Sequence, residues 1–379
     1  GPTGRGRLVE VLAGSVRRVT GGGPLQLLGN QEFVEDLHRA LAAAERRVLI
    51  QVMTFDGDAS GLAVADLLAD AAGRGVEVRL LVDCFALRYV SDRKDTDPSV
   101  LHEAAETKAM FDRLRAAGVA VTFTQPFGLV KFFGLSRNHK KLYVVDDHAY
   151  LGGINISDHN FAWRDFMIRT ADPAIVDALT EDFARTERGD RRSVNTTVLT
   201  NREIEPAFAE IINGANRSLV LASPYSIDVG IVKLLGQARA PAKTVITAQQ
   251  NNYRWLRLAE PYIWSRLARA GVELRTYPDF FHARFLLADD DRLLIGSSNF
   301  SRHSFRCNQE VCLLVTDAEF IAGFKARMLA DTGPLEVAKS AHQRGAGAAW
   351  GRVVAHFYFY VVIGAAKLVA PLSPALARR

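Results

Sequence analysis

Apolar and polar positions alternate along the chain in blocks that predict strands and helices in turn. Residues 47–55 form an apolar run after an amphipathic stretch, which predicts a buried strand. Residues 62–74 have the spacing of a helix, and residues 76–82 form a second apolar run. Helices that alternate with strands in this way predict an α/β architecture.

This order of elements occurs twice, in residues 40–165 and again in residues 210–310. The stretch from Leu114 to Val119 closely matches the stretch from Leu267 to Val272, and in each a glycine ends a predicted helix. The other matched elements, first half then second half, are strands 47–55 and 218–225, helices 62–74 and 229–237, and strands 76–82 and 243–248. The repeat predicts two similar halves.

A chain of 379 residues is long enough for two domains of ordinary size. Residues 187–200 are charged and turn-prone, so we expect a linker there. The predicted parts are an N-terminal segment 1–24, a first half 25–186, the linker 187–200, a second half 201–335 and an apolar tail 336–379.

The composition, with 48% hydrophobic and 23% charged residues, excludes a mainly disordered chain. The net charge of +5 and the pI near 9.1 allow anionic partners but do not distinguish phospholipid from nucleic acid. Cys84, Cys307 and Cys312 lack zinc-site spacing, and their odd number is unsuited to a disulfide framework. We therefore expect core thiols in a reducing compartment.

In each half, after the repeated helix, a histidine is followed two residues later by a cationic residue. In the first half these are His139 and Lys141, and in the second half they are His282 and Arg284. Side chains two apart on a strand share a face, so each pair is expected to point the same way. The further members of each pattern are Asp146 and Asn155 in the first half, and Asp289 and Asn299 in the second half.

This set of groups suits the transfer of a phosphodiester group. Two facing histidines supply a nucleophile and an acid for the leaving oxygen. Lys141 and Arg284 are expected to neutralise the phosphoryl oxygens, and Asn155 and Asn299 are expected to donate amide hydrogens to them. This chemistry requires no metal and no other cofactor.

A nucleophilic imidazole needs a carboxylate at its far nitrogen to hold it in one tautomer. Asp165 follows the first asparagine and Glu310 follows the second. We predict that each acid orients the histidine of its own half, so that Asp165 contacts His139 and Glu310 contacts His282. For Asp146 and Asp289, a purely structural role at the end of a strand remains open.

The remaining histidines are predicted to be surface or core residues without a role in chemistry. They are His38, His102, His148, His159, His303, His342 and His356.

The paired His-x-basic-x4-Asp motifs resemble those of the phospholipase D superfamily over residues 25–330. The stretches 152–155, 163–165 and 223–225 are similar to its cardiolipin synthase branch. The resemblance implies an α/β fold, in which two sandwich halves related by a pseudo-twofold axis share one site. It also implies a covalent phosphohistidine without a metal, with His139 as nucleophile and His282 as acid, although the symmetry leaves the reverse assignment open. Arg284 departs from the usual lysine; it keeps the charge but has a wider head, which puts the substrate preference in doubt.

Two apolar segments favour a phospholipid substrate that is reached at a membrane. The loop 126–135 precedes His139, and the stretch 353–370 of the tail is almost wholly apolar with basic flanks. We expect both to contact a membrane surface, at its cytoplasmic face; the alternatives are that the loop packs on the other half and that the tail packs on the body as a final helix. The sequence gives no oligomeric state.

The leading hypothesis is a cardiolipin synthase-like phosphatidyltransferase, and hydrolysis by a phospholipase D is its variant with water as acceptor. A second hypothesis is a nuclease, for which basic residues near the motifs would bind the phosphate backbone. A third is a degenerate member that only binds anionic lipid. The basic residues are Arg137, Lys140, Arg164, Arg302 and Arg306.

Overall fold

The computed structural model describes residues 25–127, 134–193, 198–225, 228–249, 256–335 and 346–369. Its first half forms a mixed sheet of seven strands with a parallel part and an antiparallel part. The strands in spatial order are Gln26–Gly29, Phe166–Thr170, His148–Gly152, Leu142–Val145, Arg47–Val52, Glu77–Asp83 and Ala120–Thr124.

The second half forms an eight-stranded sheet whose first seven strands follow the same order of equivalent elements. The strands in spatial order are Val198–Thr200, Val311–Val315, Arg292–Gly296, Phe285–Ala288, Ser218–Ala222, Ala242–Ile246, Glu273–Thr276 and Gly333–Pro334. In each sheet three neighbouring strands are parallel, because helices form the crossover connections between them. They are the strands that the sequence repeat predicts. The predicted α/β class and the two similar halves are confirmed.

Helices connect the strands; most cover the outer faces of the sheets, whereas Pro173–Glu187 and Ala318–Met328 pack in the layer that the two sheets share. The first half has Asn30–Ala43, Ala59–Gly73, Leu101–Ala116, Asp158–Ala162 and Pro173–Glu187. The second half has Ile204–Gly214, Val229–Gln237, Leu256–Arg269, Arg302–Cys307 and Ala318–Met328. A final helical segment runs from Ala346–His356 through a π-helical turn, Phe357–Val362, into Ile363–Val369.

The core has three layers because each sheet is apolar on both faces. Leu142 and Val144 pack with Phe285 and Leu287 in a cluster that both sheets share. Tyr143, one residue on, points to the opposite face and packs under the helices of its own half. The second sheet has its own outer cluster. The two sheets therefore pack on each other through a common layer, and the halves are held at a fixed distance.

The predicted linker differs in detail from the sequence expectations, whereas the prediction of core thiols is confirmed. The last residues of the predicted linker, Val198–Thr200, form the edge strand of the second sheet, which pairs with Val311–Val315. The three cysteines are buried and free. Residues 1–24, 128–133 of the loop, 194–197 of the linker, and 336–345 and 370–379 of the tail lie outside the described residues, so the predictions for those parts are not addressed.

Candidate active site

Two short parallel bridges join the halves directly beside the two motif histidines. One pairs Asn138 with Gln309, and the other pairs Arg164 with Phe281. The amide of His139 donates to the carbonyl of Gln309 at 2.9 Å, and the amide of His282 donates to the carbonyl of Arg164 at 2.8 Å. Each histidine is thus fixed next to the acid of the other half.

The carboxylates consequently pair with the histidines across the interface. Nδ1 of His139 lies 3.0 Å from Oε2 of Glu310, and Nδ1 of His282 lies 3.0 Å from Oδ2 of Asp165. The predicted pairing within each half is wrong. The reason is that the two bridges run between the halves, a contact that spacing along one chain does not reveal.

The surroundings of Glu310 define the state of the His139 ring. Ser304 donates to one carboxylate oxygen of Glu310 at 2.6 Å, and Ser297 donates to the other at 2.5 Å. A carboxylate that accepts these bonds also accepts from Nδ1 of His139, so Nε2 carries the lone pair of the neutral ring. Among the residues that the structure describes, none donates a hydrogen bond to this Nε2.

Arg284 is fully buried and contacts His282 directly. Its Nη2 lies 2.5 Å from Nε2 of His282, and its Nε donates to Oδ1 of Asn299. Its Nη1 lies 3.4 Å from Asp165. Since Nδ1 of His282 donates to Asp165, Nε2 accepts from Arg284, and the resting ring is neutral.

Burial shifts the pKa values of the central groups. It lowers the pKa of His139 to about 4, although Glu310 opposes the shift. Burial and the charge of Arg284 hold the pKa of His282 well below its usual range. Burial raises the pKa of Asp165 to about 6, against the opposing effect of Arg284. Both imidazoles are therefore neutral at pH 7 in the free protein, as a nucleophile requires.

The remaining predicted residues surround the histidines at different depths. Lys141 is fully buried, and its Nζ donates to the carbonyl of His139 at 2.8 Å. Oδ1 of Asn155 accepts from the amides of Met53 and Thr54, which turns its Nδ2 away from that backbone. Asn155 and Asn299 both line the pocket described next.

A pocket with a volume of about 450 Å³ lies over the histidines and is lined by residues of both halves. Both motif histidines and both motif asparagines line it, whereas Lys141 and Arg284 are 0% exposed and do not. The other lining residues are Met53, Thr54, Phe85, Tyr89, Asp92, Gly134, Leu135, Arg137, His159, Asn160, Trp163, Tyr225, Ser301, His303, Asn308 and Tyr358. Its wall thus combines polar groups with aromatic and aliphatic ones, as ligand sites do.

Sequence reasoning missed several residues of this site. His159 and His303, which were predicted to have no role, both line the pocket. The ring of Trp163 packs on His282 with centroids 4.9 Å apart. Trp163 adjoins the bridge residue Arg164, and its place two residues before Asp165 was the available signal. For His303 the signal was weaker, because only its position four residues after Asn299 separates it from other histidines.

Among the described residues, one cluster has the spacing of a metal site. Ligand atoms of Asp56, Asp58 and His159 lie within 4.8 Å of one another. However, Nε2 of His159 lies 2.9 Å from Nδ2 of Asn160, which donates to it, so Nδ1 bears the proton of a neutral ring. Asp58 already accepts from two backbone amides. In the free protein the His159 ring and Asp58 therefore already hold hydrogen bonds within the protein.

The motif acids Asp146 and Asp289 serve the backbone. Asp146 accepts from the amides of Glu45, Arg46 and Arg47, at 2.9 to 3.0 Å. Asp289 accepts from three equivalent amides, those of residues 216–218. Both acids have a positive φ, 50° and 53°, which a short polar side chain tolerates. Each therefore ties a strand turn to the start of the neighbouring antiparallel strand.

Replacing Asp146 with asparagine is expected to lower the free energy of unfolding by about 1–3 kcal/mol, because one amide oxygen cannot accept all three bonds. Turnover per folded molecule should stay unchanged, since Asp146 is not among the residues that line the pocket. Denaturant unfolding and initial rates measure the two quantities. The exposed neighbour Asp147 is the matched control, and its change to asparagine should alter neither. A large loss of turnover at equal stability in Asp146→Asn would contradict this structural role.

Replacing Arg284 with lysine is expected to destabilise the fold by about 1–3 kcal/mol. One ammonium group cannot contact Asn299, Asp165 and His282 together, as the planar guanidinium does. Denaturant unfolding measures this, with Arg39→Lys at an exposed position as control. Equal loss in the two variants would mean that these contacts do not require the guanidinium shape.

Comparisons with known proteins find one matching family and several relatives. The family described as cardiolipin synthase, PLD-like domain matches residues 37–186 and 208–331. Cardiolipin synthase A of Pseudomonas aeruginosa (strain LESB58) is 26% identical over 339 residues, which are 80% of this chain and 66% of that protein. Cardiolipin synthase A of Pseudomonas entomophila (strain L48) is 28% identical over 328 residues, 78% of this chain and 65% of that protein. The chain thus spans slightly less than two thirds of these relatives.

Among solved structures, phosphatidylserine synthase of Haemophilus influenzae Rd KW20 has the same fold. Its TM-score is 0.66 at 13% sequence identity, and the match covers 91% of this chain and 94% of that one. The two matched family segments hold the two histidine motifs and together make up more than half of the residues. The chain therefore belongs to the phospholipase D-like family described as cardiolipin synthase, PLD-like domain.

Proposed function

We propose that the protein is a cardiolipin synthase-like phosphatidyltransferase that transfers the phosphatidyl group of a phospholipid to an acceptor alcohol through a covalent phosphohistidine and releases the headgroup alcohol. The observation that carries this proposal is the pocket, in which two neutral, carboxylate-bound imidazoles from different halves meet beside aromatic and aliphatic walls. The relatives named cardiolipin synthase A support the choice of lipid.

In the first step Nε2 of His139 attacks the phosphorus atom of the donor lipid, and the bond from phosphorus to the headgroup oxygen breaks. His282 gives a proton to the leaving alkoxide. In the second step His282 removes a proton from the acceptor hydroxyl, which attacks phosphorus and releases His139. With phosphatidylglycerol as donor and acceptor, the products are cardiolipin and glycerol. With water as acceptor, the product is phosphatidic acid.

Arg284 has a role in these two steps as a group that responds to the substrate. In the free protein it donates to Nε2 of His282 and keeps that ring unprotonated. The negative charge of a phosphate anion in the pocket attracts the buried guanidinium from behind the wall and raises the pKa of His282. His282 then gains the proton that it needs as the acid. The amide groups of Asn155 and Asn299, which line the pocket, stabilise the phosphoryl oxygens in the same step, and Lys141 acts from behind the wall, where it is bound to the carbonyl of His139.

The contacts of the basic residues near the motifs favour lipid over nucleic acid. Each of the five cations that the nuclease hypothesis relied on forms an ion pair with a carboxylate, which weakens it as a phosphate ligand. The pairs are Arg137 with Asp83, Lys140 with Asp182, Arg164 with Asp331, Arg302 with Asp228 and Arg306 with Glu205.

The reaction is proposed to occur at a membrane surface, on the cytoplasmic face that the three free thiols suit. The test is to incubate the protein with phosphatidylglycerol in mixed micelles, with and without added ethanol, and to identify the products by mass spectrometry. Cardiolipin, or phosphatidylethanol when ethanol is present, is the expected product. Phosphatidic acid alone would mean a hydrolase. Intact lipid together with cleavage of a single-stranded oligonucleotide would replace the proposal with a nuclease.

A further inference from the structure

The C-terminal helical segment, Ala346–His356 through Ile363–Val369, packs on the second half by one face. Ala355, Ile363 and Ala366 are buried in the outer core of that half. Gly351 faces the carbonyl oxygen of Leu258 so closely that a Cβ would lie 2.6 Å from it. This close approach of two backbones fixes the segment against the helix Leu256–Arg269.

The opposite face of the segment exposes large apolar side chains. They are between 52% and 77% exposed, which is unusual for a contiguous set of apolar side chains of this size on a protein surface that faces water. Their spacing of three, four, four and seven residues along most of the segment keeps them on one side of a helix. We call this set the outer face: Trp350, Val353, Phe357, Val361 and Leu368.

The charges around the outer face match an anionic lipid surface. Arg352 and Lys367 lie near its two ends and are exposed. No Asp or Glu follows Glu336 in the sequence. Aromatic rings together with flanking cations are the composition of helices that lie in the headgroup layer of a bilayer. The stretch Ala349–Leu368 is also long and apolar enough to cross a bilayer, but here its inner face is occupied by the protein.

The same segment reaches the active-site pocket. Tyr358 lies in the π-helical turn Phe357–Val362 and lines the pocket together with His139 and His282. In the same turn the ring of Tyr360 lies under the guanidinium of Arg302, at 5.2 Å, next to the lining residues Ser301 and His303. A π-turn inserts one extra residue per turn, and it changes which side chains point inward at this level.

We propose that the outer face lies in the headgroup layer of an anionic phospholipid bilayer, and that the inner side of the same helix, through Tyr358, forms a wall of the pocket. The pocket mouth is then held at the lipid surface, and a phospholipid enters it without crossing water. That lipids are turned over in the pocket rests on the proposed function; the docking of the outer face does not.

The test compares the full chain with a variant that carries Phe357→Glu and Val361→Glu. Two carboxylates on the outer face are expected to weaken co-sedimentation with phosphatidylglycerol vesicles by about tenfold or more, since they oppose both apolar insertion and anionic lipid. Turnover of vesicle lipid should fall by a similar factor. Turnover of dispersed short-chain phosphatidylglycerol should remain, because neither residue lines the pocket.

Leu101→Glu is the matched control, because Leu101 is 52% exposed on a helix of the first half. It should leave vesicle binding unchanged. Circular dichroism on heating checks that all variants fold. Tyr358→Ala should bind vesicles as the unchanged protein does but raise the KM for short-chain lipid severalfold; an unchanged KM would overturn the role of this helix as a pocket wall.

The remaining outcomes separate the surface from the chemistry. If the unchanged protein turns over no lipid while the double variant still loses vesicle binding, the proposed function fails and the docking surface stands. If the double variant binds vesicles normally, the docking surface is wrong. If it binds vesicles normally and a dimer becomes a monomer in light scattering, the outer face instead covers a second copy of the chain.

Discussion

Replacing His139 with alanine is expected to reduce phosphatidyl transfer by about 10⁴-fold or more, because the covalent intermediate can no longer form. His282→Ala should lose a comparable factor on natural lipid, since the leaving alkoxide then departs without a proton. The two variants differ in which step fails, and a change of leaving group distinguishes them. The role of His139 as nucleophile rests on its neutral Nε2, to which no described residue donates a hydrogen bond.

A phosphatidyl ester of p-nitrophenol provides that distinction, because p-nitrophenolate leaves without protonation. With this substrate His282→Ala should still give a rapid burst of p-nitrophenolate and accumulate a phosphatidyl-enzyme that mass spectrometry locates on His139. His139→Ala should give neither. The half-buried His148, which is not among the lining residues, supplies the control His148→Ala, and this variant should behave normally. A burst that survives in His139→Ala but not in His282→Ala would reverse the two roles.

The crossed carboxylate pairs predict an equally distinct second pattern. Glu310→Gln and Asp165→Asn should each lower turnover of natural lipid by about 10²–10⁴-fold, because the amide no longer holds the imidazole in the required tautomer. Since Glu310 contacts His139, its change should also slow the burst with the p-nitrophenyl ester. Asp165 contacts His282, so Asp165→Asn should leave that burst largely intact.

Pairing within each half would give the opposite result, with the burst lost in Asp165→Asn and kept in Glu310→Gln. Nuclear magnetic resonance of ¹⁵N-labelled histidine gives an independent check, because each variant should shift the ring nitrogens of one motif histidine only. The exposed Asp177 is the control for the loss of a charge, and its change to asparagine should affect neither the burst nor the spectrum.

Lys141 and Arg284 hold equivalent positions in the two motifs, but they contact different groups. Lys141 donates to the carbonyl of His139, whereas Arg284 reaches the ring of His282 and two further side chains. The halves therefore share a sequence pattern, but their cations make different contacts. This asymmetry supports different roles for the two histidines in the proposed mechanism.

The sequence predicted local structure well where a periodic signal existed. The second-half helix predicted at 229–237 is Val229–Gln237, and the strand predicted at 76–82 is Glu77–Asp83. The apolar runs 47–55 and 218–225 predicted buried strands, and Arg47–Val52 and Ser218–Ala222 are mostly buried. The end of the linker was assigned less well, because Val198–Thr200 is too short to give a period of its own.

The residues of the candidate site were likewise predicted only where they belong to a repeated pattern. Spacing alone selected His139, His282 and both asparagines, because the duplication repeats their pattern, and the structure brings these four to one pocket. It did not reveal Tyr358, which lies far along the chain in a segment without a counterpart in either half. Nor did it reveal the serine pair at Glu310, since single hydroxyl residues carry no periodic signal.

The sequence by itself determined the α/β class, the duplication and the residue types that the chemistry uses, because these depend on periods and repeats within each half. Only the tertiary structure decided which carboxylate serves which histidine. The bridges Asn138–Gln309 and Arg164–Phe281 connect residues more than a hundred positions apart, and the shared apolar layer between the two sheets sets their approach. Pairing of this kind depends on how the halves dock, a property of packed surfaces that neither motif contains alone.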